Sequence, residues 1–253
     1  MDARVIAVGA GKGGVGKSTV ALNLARALRT HGAVGVLDLD FYGPNIPSMV
    51  GIEHEKWTTN WTLAGPSMRR FKPVFREDLA IVSTGFVLGE DQPFGVDSMT
   101  AGLIAKQLIH GVAWPDLQYL VVDLPPGTST VQQILVRELK CAGALVVVTP
   151  ELVAHLDARK AVQMFRSLKI RVIGAIENMS AGTCPLCGQA ISIFPSAPHD
   201  RSIWSMGVQK LVEIPLQIAA DASKPIVGGL DPSLAPLYQQ LADRVVADLA
   251  AEA

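Results

Sequence analysis

Short apolar runs rich in β-branched residues alternate along the chain with longer segments whose apolar residues recur at helical spacing. The runs are 5–8, 34–37, 79–83, 119–122, 144–148, 172–176 and 210–214. Several are apolar at consecutive positions, the pattern of strands covered on both faces. Strands and helices in alternation predict an α/β fold, a doubly wound, mostly parallel sheet flanked by helices. The helix after the first strand places Ala21, Leu24, Ala25 and Leu28 on one face and stops near His31-Gly32. Val153, Leu156, Ala161, Met164, Phe165 and Leu168 predict another core-facing helix. The last helix runs from about Ser233, with an apolar stripe of Leu234, Leu237, Tyr238, Leu241, Val245 and Leu249; Pro236 is tolerated in its first turn. Segments 53–77, 89–98 and 195–202 are rich in Pro, Gly and polar residues and read as loops. With no repeat and no linker, residues 1–253 are expected to form one domain.

Composition narrows the function classes. The chain has 253 residues, 49% of them hydrophobic, and a domain of that size buries roughly 70–75% of its unfolded surface. A formal net charge of −1 supplies no overall basic field for nucleic acid or an anionic membrane, and neither is expected as a partner. The three cysteines are too few for a secreted disulfide framework. Cys141 reads as a buried thiol. The strongest apolar run, 142–148, falls far short of the ~20 residues of a membrane span. The first residues lead into a glycine-rich loop rather than a cleavage site. A soluble, reducing, cytoplasmic setting is expected.

That loop is Gly11-Lys12-Gly13-Gly14-Val15-Gly16-Lys17-Ser18-Thr19. Strand, glycine-rich loop, Lys-Ser and helix follow in the order of a phosphate-binding P-loop. The glycines let successive backbone N–H groups turn toward a phosphate chain. Lys17 supplies charge near the β- and γ-phosphates, the Ser18 hydroxyl suits Mg²⁺, and the helix aims its positive end at the same anion. Lys12 is a second lysine in the loop. It reads either as an exposed loop lysine or as a cation that reaches phosphates, across a subunit boundary if need be.

Two strand ends add carboxylates. The second strand runs out in Asp38-Leu39-Asp40, which alternation places on one side. Beside the P-loop they read as groups that orient water and hold Mg²⁺; otherwise they are solvated acids of a turn. Asp123, before Leu124-Pro125-Pro126-Gly127, ends an apolar strand in Walker B fashion, and the turn beyond it is placed to respond to the γ-phosphate.

Cys184-Pro185-Leu186-Cys187-Gly188 forms a knuckle, an insertion near 180–195. Two thiolates at this spacing can hold one edge of a metal or cluster, while a tetrahedral zinc or a four-iron cluster needs about four ligands. A two-fold dimer would supply four from two chains. Zinc held between subunits, a redox dithiol and an incidental pair stay open as alternatives.

These residues resemble the Mrp/ApbC-type iron–sulfur cluster carriers, P-loop ATPases related to MinD and ParA. The resemblance covers essentially the whole chain. It is carried by Gly11 to Thr19, by the run from Asp38 to Pro47, by Lys72-Pro73-Val74, and by the run from Asp123 to Thr128. Leu156 to Lys160, Glu177-Asn178-Met179-Ser180, the cysteine knuckle and Ile214-Pro215-Leu216 complete it. It implies a weak ATPase that forms a homodimer with ATP at the interface. In it Lys12 reaches the partner's nucleotide, and Lys17, Ser18 and Thr19 serve phosphate and Mg²⁺. Asp40, with Asp38 beside it, is tied to hydrolysis, and Asn178 and the backbone near Pro215 hold the adenine. Cys184 and Cys187 share a bridging [4Fe–4S] cluster that passes to apo iron–sulfur proteins. A MinD/ParA-like positioning ATPase and a zinc-clasped, nucleotide-switched dimer are the competing readings. The chain departs from the family pattern at Ser129-Thr130, at Gln217, and at Pro195-Ser196-Ala197-Pro198-His199, where a glycine-rich stretch is expected. It also lacks an amino-terminal ferredoxin-like cysteine group, so the short form is expected.

Overall fold

The computed structural model describes residues 2–55, 71–87, 98–128, 130–183, 187, 189–216 and 232–251. In chain order the elements are β1 (Arg4–Ala10), α1 (Lys17–Leu28), β2 (Val34–Asp38), α2 (Ile46–Met49), β3 (Val74–Arg76), β4 (Leu79–Ser83) and α3 (Ser98–His110). They continue with β5 (Tyr119–Asp123), α4 (Thr130–Glu138), β6 (Gly143–Val148), α5 (Leu152–Ser167), β7 (Val172–Thr183), β8 (Ala190–Ile191), β9 (Lys210–Leu216) and α6 (Ala235–Ala250).

The strands form one sheet in the order β3-β4-β2-β5-β1-β6-β7-β8, with β9 alongside β7. Pairing is parallel except for β3 on β4 and β8 on β7. The expected doubly wound, mostly parallel sheet is therefore present. Its central strands are buried from end to end, because helices cover both faces. Alternation along β1 sends Ile6 and Val8 to the face covered by α1 and α6, and Val5 and Ala7 to the face covered by α3 and α5. β1 lies between β5 and β6. The loop after β1 thus opens at the middle of the sheet's carboxyl edge, where open α/β sheets bind ligands.

Each of the seven expected strands is present, six of them within three residues of the expected ends, while β7 runs on from the expected 176 to Thr183. Two short strands carried no periodic signal. β3 falls inside the segment read as a loop over 53–77; it is three residues long and pairs with β4 through a tight turn. That turn places Glu77 and Asp78 at φ 52° and 55°. Arg26 of α1 holds it through Nε to Glu77 Oε2 at 2.7 Å, and Arg29 pairs with Asp78. Residues 56–70, including Arg69-Arg70, and 88–97 lie outside the described residues. β8 pairs only with the last two residues of β7, Gly182 and Thr183.

Val153 departs from expectation. It is 60% exposed rather than core-facing. α5 begins at Leu152; Ala161, Met164 and Phe165 are buried as expected, Ala154, Ala158 and Val162 join them, and Leu156 and Leu168 are half-buried. The small residues let α5 lie close to the P-loop. The Phe165 ring packs on Gly9 of β1, where an added Cβ would come within 2.9 Å of it.

After β8 the chain returns across α5 as a strap, in the segment where a glycine-rich stretch was expected. Ala197 N donates to Pro150 O at 2.8 Å. Arg159 donates to Ser202 O at 2.7 Å and Arg166 to Met206 O at 2.9 Å. Ser202 and Ile203 are fully buried beneath. Phe165→Ala should remove about 3–5 kcal/mol of stability, because the ring fills the space between α5 and β1. Urea denaturation of the two proteins measures it.

Candidate nucleotide site and cysteine hairpin

The P-loop joins β1 to α1 directly. Gly16 is the N-cap at φ 83°, ψ 23°, a left-handed conformation that favours glycine. No side chain caps this helix, and its first turn carries no acid. Its leading N–H groups therefore remain for an anion. An added Cβ on Gly13 or Gly14 would meet nothing within 4 Å, so the outer loop is open. Gly11 is the reverse case: a Cβ there would lie 2.1 Å from the Asp157 carbonyl carbon and 2.3 Å from Ala158 N. The backbone of α5 excludes any side chain at Gly11.

Lys17 is buried, and its Nζ lies 2.6 Å from Asp123 Oδ1 and 3.3 Å from Asp40 Oδ2. Burial works against the Lys17 charge, but Asp123 and Asp40 outweigh it and raise its pKa above the ordinary lysine value. Nζ also donates to Ser18 Oγ at 3.4 Å, which brings the predicted phosphate and Mg²⁺ residues together. Thr19 is exposed, in the first turn of α1.

Asp38 and Asp40 sit at different depths. Asp40 is turned toward Lys17, and its Oδ1 accepts from Tyr42 N at 3.2 Å. Asp38 has no exposed surface. Its Oδ1 accepts from Asp40 N at 3.1 Å, and the Ser83 hydroxyl bonds its Oδ2 at 2.9 Å. Burial and the neighbouring Asp123 carboxylate push Asp38 up to about 8. Asp123 is also fully buried, and burial lifts it in spite of Lys17. Its Oδ2 has no hydrogen-bond partner among the described residues. One ammonium thus faces three carboxylates, with an orphaned carboxylate oxygen among them. That orphaned Asp123 oxygen is a donor of the kind a hard divalent cation takes, with phosphate and water oxygens completing its shell.

Lys12 does not join that cluster. Its Nζ lies 2.7 Å from Glu151 Oε1, at the start of α5. Burial opposes the Glu151 charge, but the hydrogen bond from Lys12 outweighs it and holds Glu151 below the usual carboxylate range. Sequence reasoning missed Glu151 and Ser83. The signal for Glu151 was available, since an acid just past an apolar strand is the argument that found Asp123.

Asn178 is buried on β7. Its Nδ2 donates to Val15 O at 2.9 Å, which sets it against the P-loop. It pairs in register with Ile214 of β9, so Pro215 follows beside it. Five residues after Asn178, β7 reaches Thr183, and the cysteine knuckle begins at the next position. Cys187 is exposed, whereas Cys184 lies outside the described residues. Among the described residues no three His, Cys, Asp or Glu side chains gather as a metal site. Cys141 is half-buried, its thiol pushed up to about 12 by burial. Arg159 is occupied by the strap, bonding Ser202 O and Ser205 Oγ, and Lys160 pairs with Asp157. None of the described helices is long and apolar enough to cross a membrane.

The raised pKa of Asp38 fixes the sign of a pH effect. Below about pH 4 it is protonated whether the chain is folded or unfolded. Between there and about 8 only the folded chain holds the proton, so stability contributed by this group is lost as pH rises through that window. Asp38→Asn mimics the protonated form and should flatten the loss. Thermal unfolding of wild type and variant without nucleotide, from pH 5 to 9, checks this.

The family description "NUBPL iron-transfer P-loop NTPase" matches residues 2–246. The iron-sulfur cluster carrier protein of Escherichia coli K12 is 38% identical over 251 residues, 97% of this chain, which spans 66% of that protein's length. That of Methanocaldococcus jannaschii is 38% identical over 249 residues, covering 95% of this chain and 83% of its own length. Among solved structures, a nucleotide-binding protein from Archaeoglobus fulgidus in complex with ADP superposes with a TM-score of 0.68 at 29% identity, over 95% of this chain and 87% of that one. The cell division ATPase MinD of Pyrococcus furiosus gives 0.66 at 20% identity over 98% and 99%, a likeness of fold. With the phosphate loop built as above and the match running almost end to end, the chain belongs to the NUBPL iron-transfer P-loop NTPase family.

Proposed function

We propose that this chain is a weak, cytoplasmic ATPase that carries an iron–sulfur cluster, working as a homodimer of single-domain subunits. The observation that carries the reading is the course of β7. One strand touches the phosphate loop through Asn178 and runs straight into the cysteine pair. A carrier that responds to nucleotide needs those two sites to be joined by one element. The relatives named as cluster carriers support the cargo, and the ADP-bound relative supports an adenine nucleotide.

In this reading the N–H groups of Gly11, Gly13, Gly14, Val15, Gly16 and Lys17 cradle the phosphates, with Ser18 and Thr19 at the helix start. Ser18, Asp40 and Asp123 hold Mg²⁺, whose charge offsets the carboxylates around Lys17 and the phosphate oxygens. Asp40, nearer the crevice than Asp38, orients the attacking water. Asp38 supports it from behind through the Asp40 backbone. Asn178 spends its amide nitrogen on Val15, which leaves its carbonyl oxygen for the adenine amino group, with Pro215 alongside. Lys12 reaches the partner's phosphates by exchanging the Glu151 carboxylate for phosphate oxygens. Cys184 and Cys187 of each subunit then share a bridging [4Fe–4S] cluster, released to apo iron–sulfur proteins.

Anaerobic reconstitution with iron and sulfide tests the cargo. A broad thiolate-to-iron absorption near about 400 nm is expected, whereas zinc, a d¹⁰ ion, gives none. Cys184→Ser with Cys187→Ser should abolish the band and the bound iron; retention of both would defeat the reading, and a colourless zinc-bound dimer would replace it with the zinc clasp. Lys12→Ala should lower ATP turnover by about 100-fold if the lysine acts as a finger across the interface. Light scattering with Mg·ATP should show dimers of the wild type.

A further inference from the structure

A peptide unit is planar, with its C=O and N–H directed oppositely. The unit between Val15 and Gly16 lies inside the phosphate loop. When its N–H turns toward a phosphate, its C=O turns the other way. That carbonyl is the acceptor of Asn178 Nδ2, at 2.9 Å. The contact is close from both sides: a Cβ on Gly16 would stand 2.2 Å from Asn178 Nδ2 and 3.8 Å from Met179 Cε. Asn178 is therefore bonded to the carbonyl side of one of the peptides whose N–H groups are available to an anion.

The strand beyond Asn178 is irregular. Asn178 pairs with Ile214 and Gly182 with Leu216, so four steps along β7 oppose two along β9. The surplus forms a bulge over 179–181, and Met179 holds φ 57°, a left-handed value unusual for a side-chain-bearing residue. Past the bulge, Gly182 and Thr183 pair with Ile191 and Ala190. Those two pairs are the base of the hairpin that carries Cys184 and Cys187. The turn after Asp123 leads elsewhere: Leu124 N and Gly127 N bond to Val8 O and Ala10 O of β1.

We propose that Asn178 is a positioning residue that ties the phosphate loop to the cysteine hairpin, so that filling the loop with nucleotide changes the accessibility of the Cys184–Cys187 pair through the β7 bulge. This rests on the reading of the thiol pair as a functional site, and it assigns the element that conveys nucleotide state to it. The route runs within one subunit and does not depend on Lys12.

The test uses the full chain, freed of metal by chelator, with and without a saturating non-hydrolysable ATP analogue and Mg²⁺. Alkylation rates of Cys184 and Cys187 by iodoacetamide are read by peptide mass spectrometry. Cys141, whose thiol is pushed up to about 12, serves as the slow internal reference. Nucleotide should change the knuckle rates of the wild type by about fivefold or more, a common size for coupling between two sites. Asn178→Asp keeps the shape but sets a carboxylate oxygen against the Val15 carbonyl, and it should bring the ratio close to one at nucleotide concentrations that saturate the variant. Should that variant not fold, Asn178→Ser, which shortens the side chain without adding charge, is read by the same ratio. A wild type indifferent to nucleotide, or a variant that keeps the full response, overturns the inference. Dimerisation alone would shield the thiols in variant and wild type alike, and so counts as the second result. The readout needs no cluster, so its failure leaves the carrier reading to be decided by reconstitution.

Discussion

Three buried carboxylates around a single buried ammonium set the terms for this molecule. Asp38, Asp40 and Asp123 stand at the ends of adjacent strands, and Lys17 alone answers them among the described cations. Buried charge without a counterion is expensive, and a group so placed takes up a proton, a partner or a metal. Here all three responses have a place. Asp38 keeps its proton to about pH 8, Asp123 takes Lys17 with one oxygen, and the other oxygen remains for a cation. The surplus of negative charge stands beside a glycine loop built in the manner of a phosphate-binding loop.

Close packing keeps this cluster in place. α5 presses its backbone on Gly11, and Asn178 presses its amide on Gly16. The loop is thus held from two sides while its outer rim at Gly13 and Gly14 stays open. α5 also delivers Glu151 to Lys12. The helix that confines the base of the loop therefore governs the second lysine as well.

Much of this was legible in the sequence. Strands buried on both faces announce themselves as unbroken apolar runs, and all seven were found. The P-loop was legible because its chemistry needs glycines and Lys-Ser at fixed spacing. The residues that escaped notice belong to contacts made across the fold. β3 and β8 are too short to show a period, and their pairing depends on neighbours. Val153 was misplaced because the buried side of the first turn of α5 is carried by Ala154 and His155, which leaves Val153 on the outer side. Ser83 reaches Asp38 from 45 positions away in the chain, and Glu151 reaches Lys12 from 139. Neither separation leaves a mark on local composition.

The strap over α5 has an evolutionary corollary. Its attachments at Pro150 O, Ser202 O and Met206 O all use main-chain carbonyls, which every amino acid possesses. The exposed side chains from Pro195 to His199 are free to drift provided Arg159, Arg166 and the path length persist, whereas Ser202 and Ile203 are fixed by burial and Ser205 by its bond to Arg159. The outer edge can therefore change, and with it whatever docks there, without disturbing the seat of α5 on Gly11 of the phosphate loop.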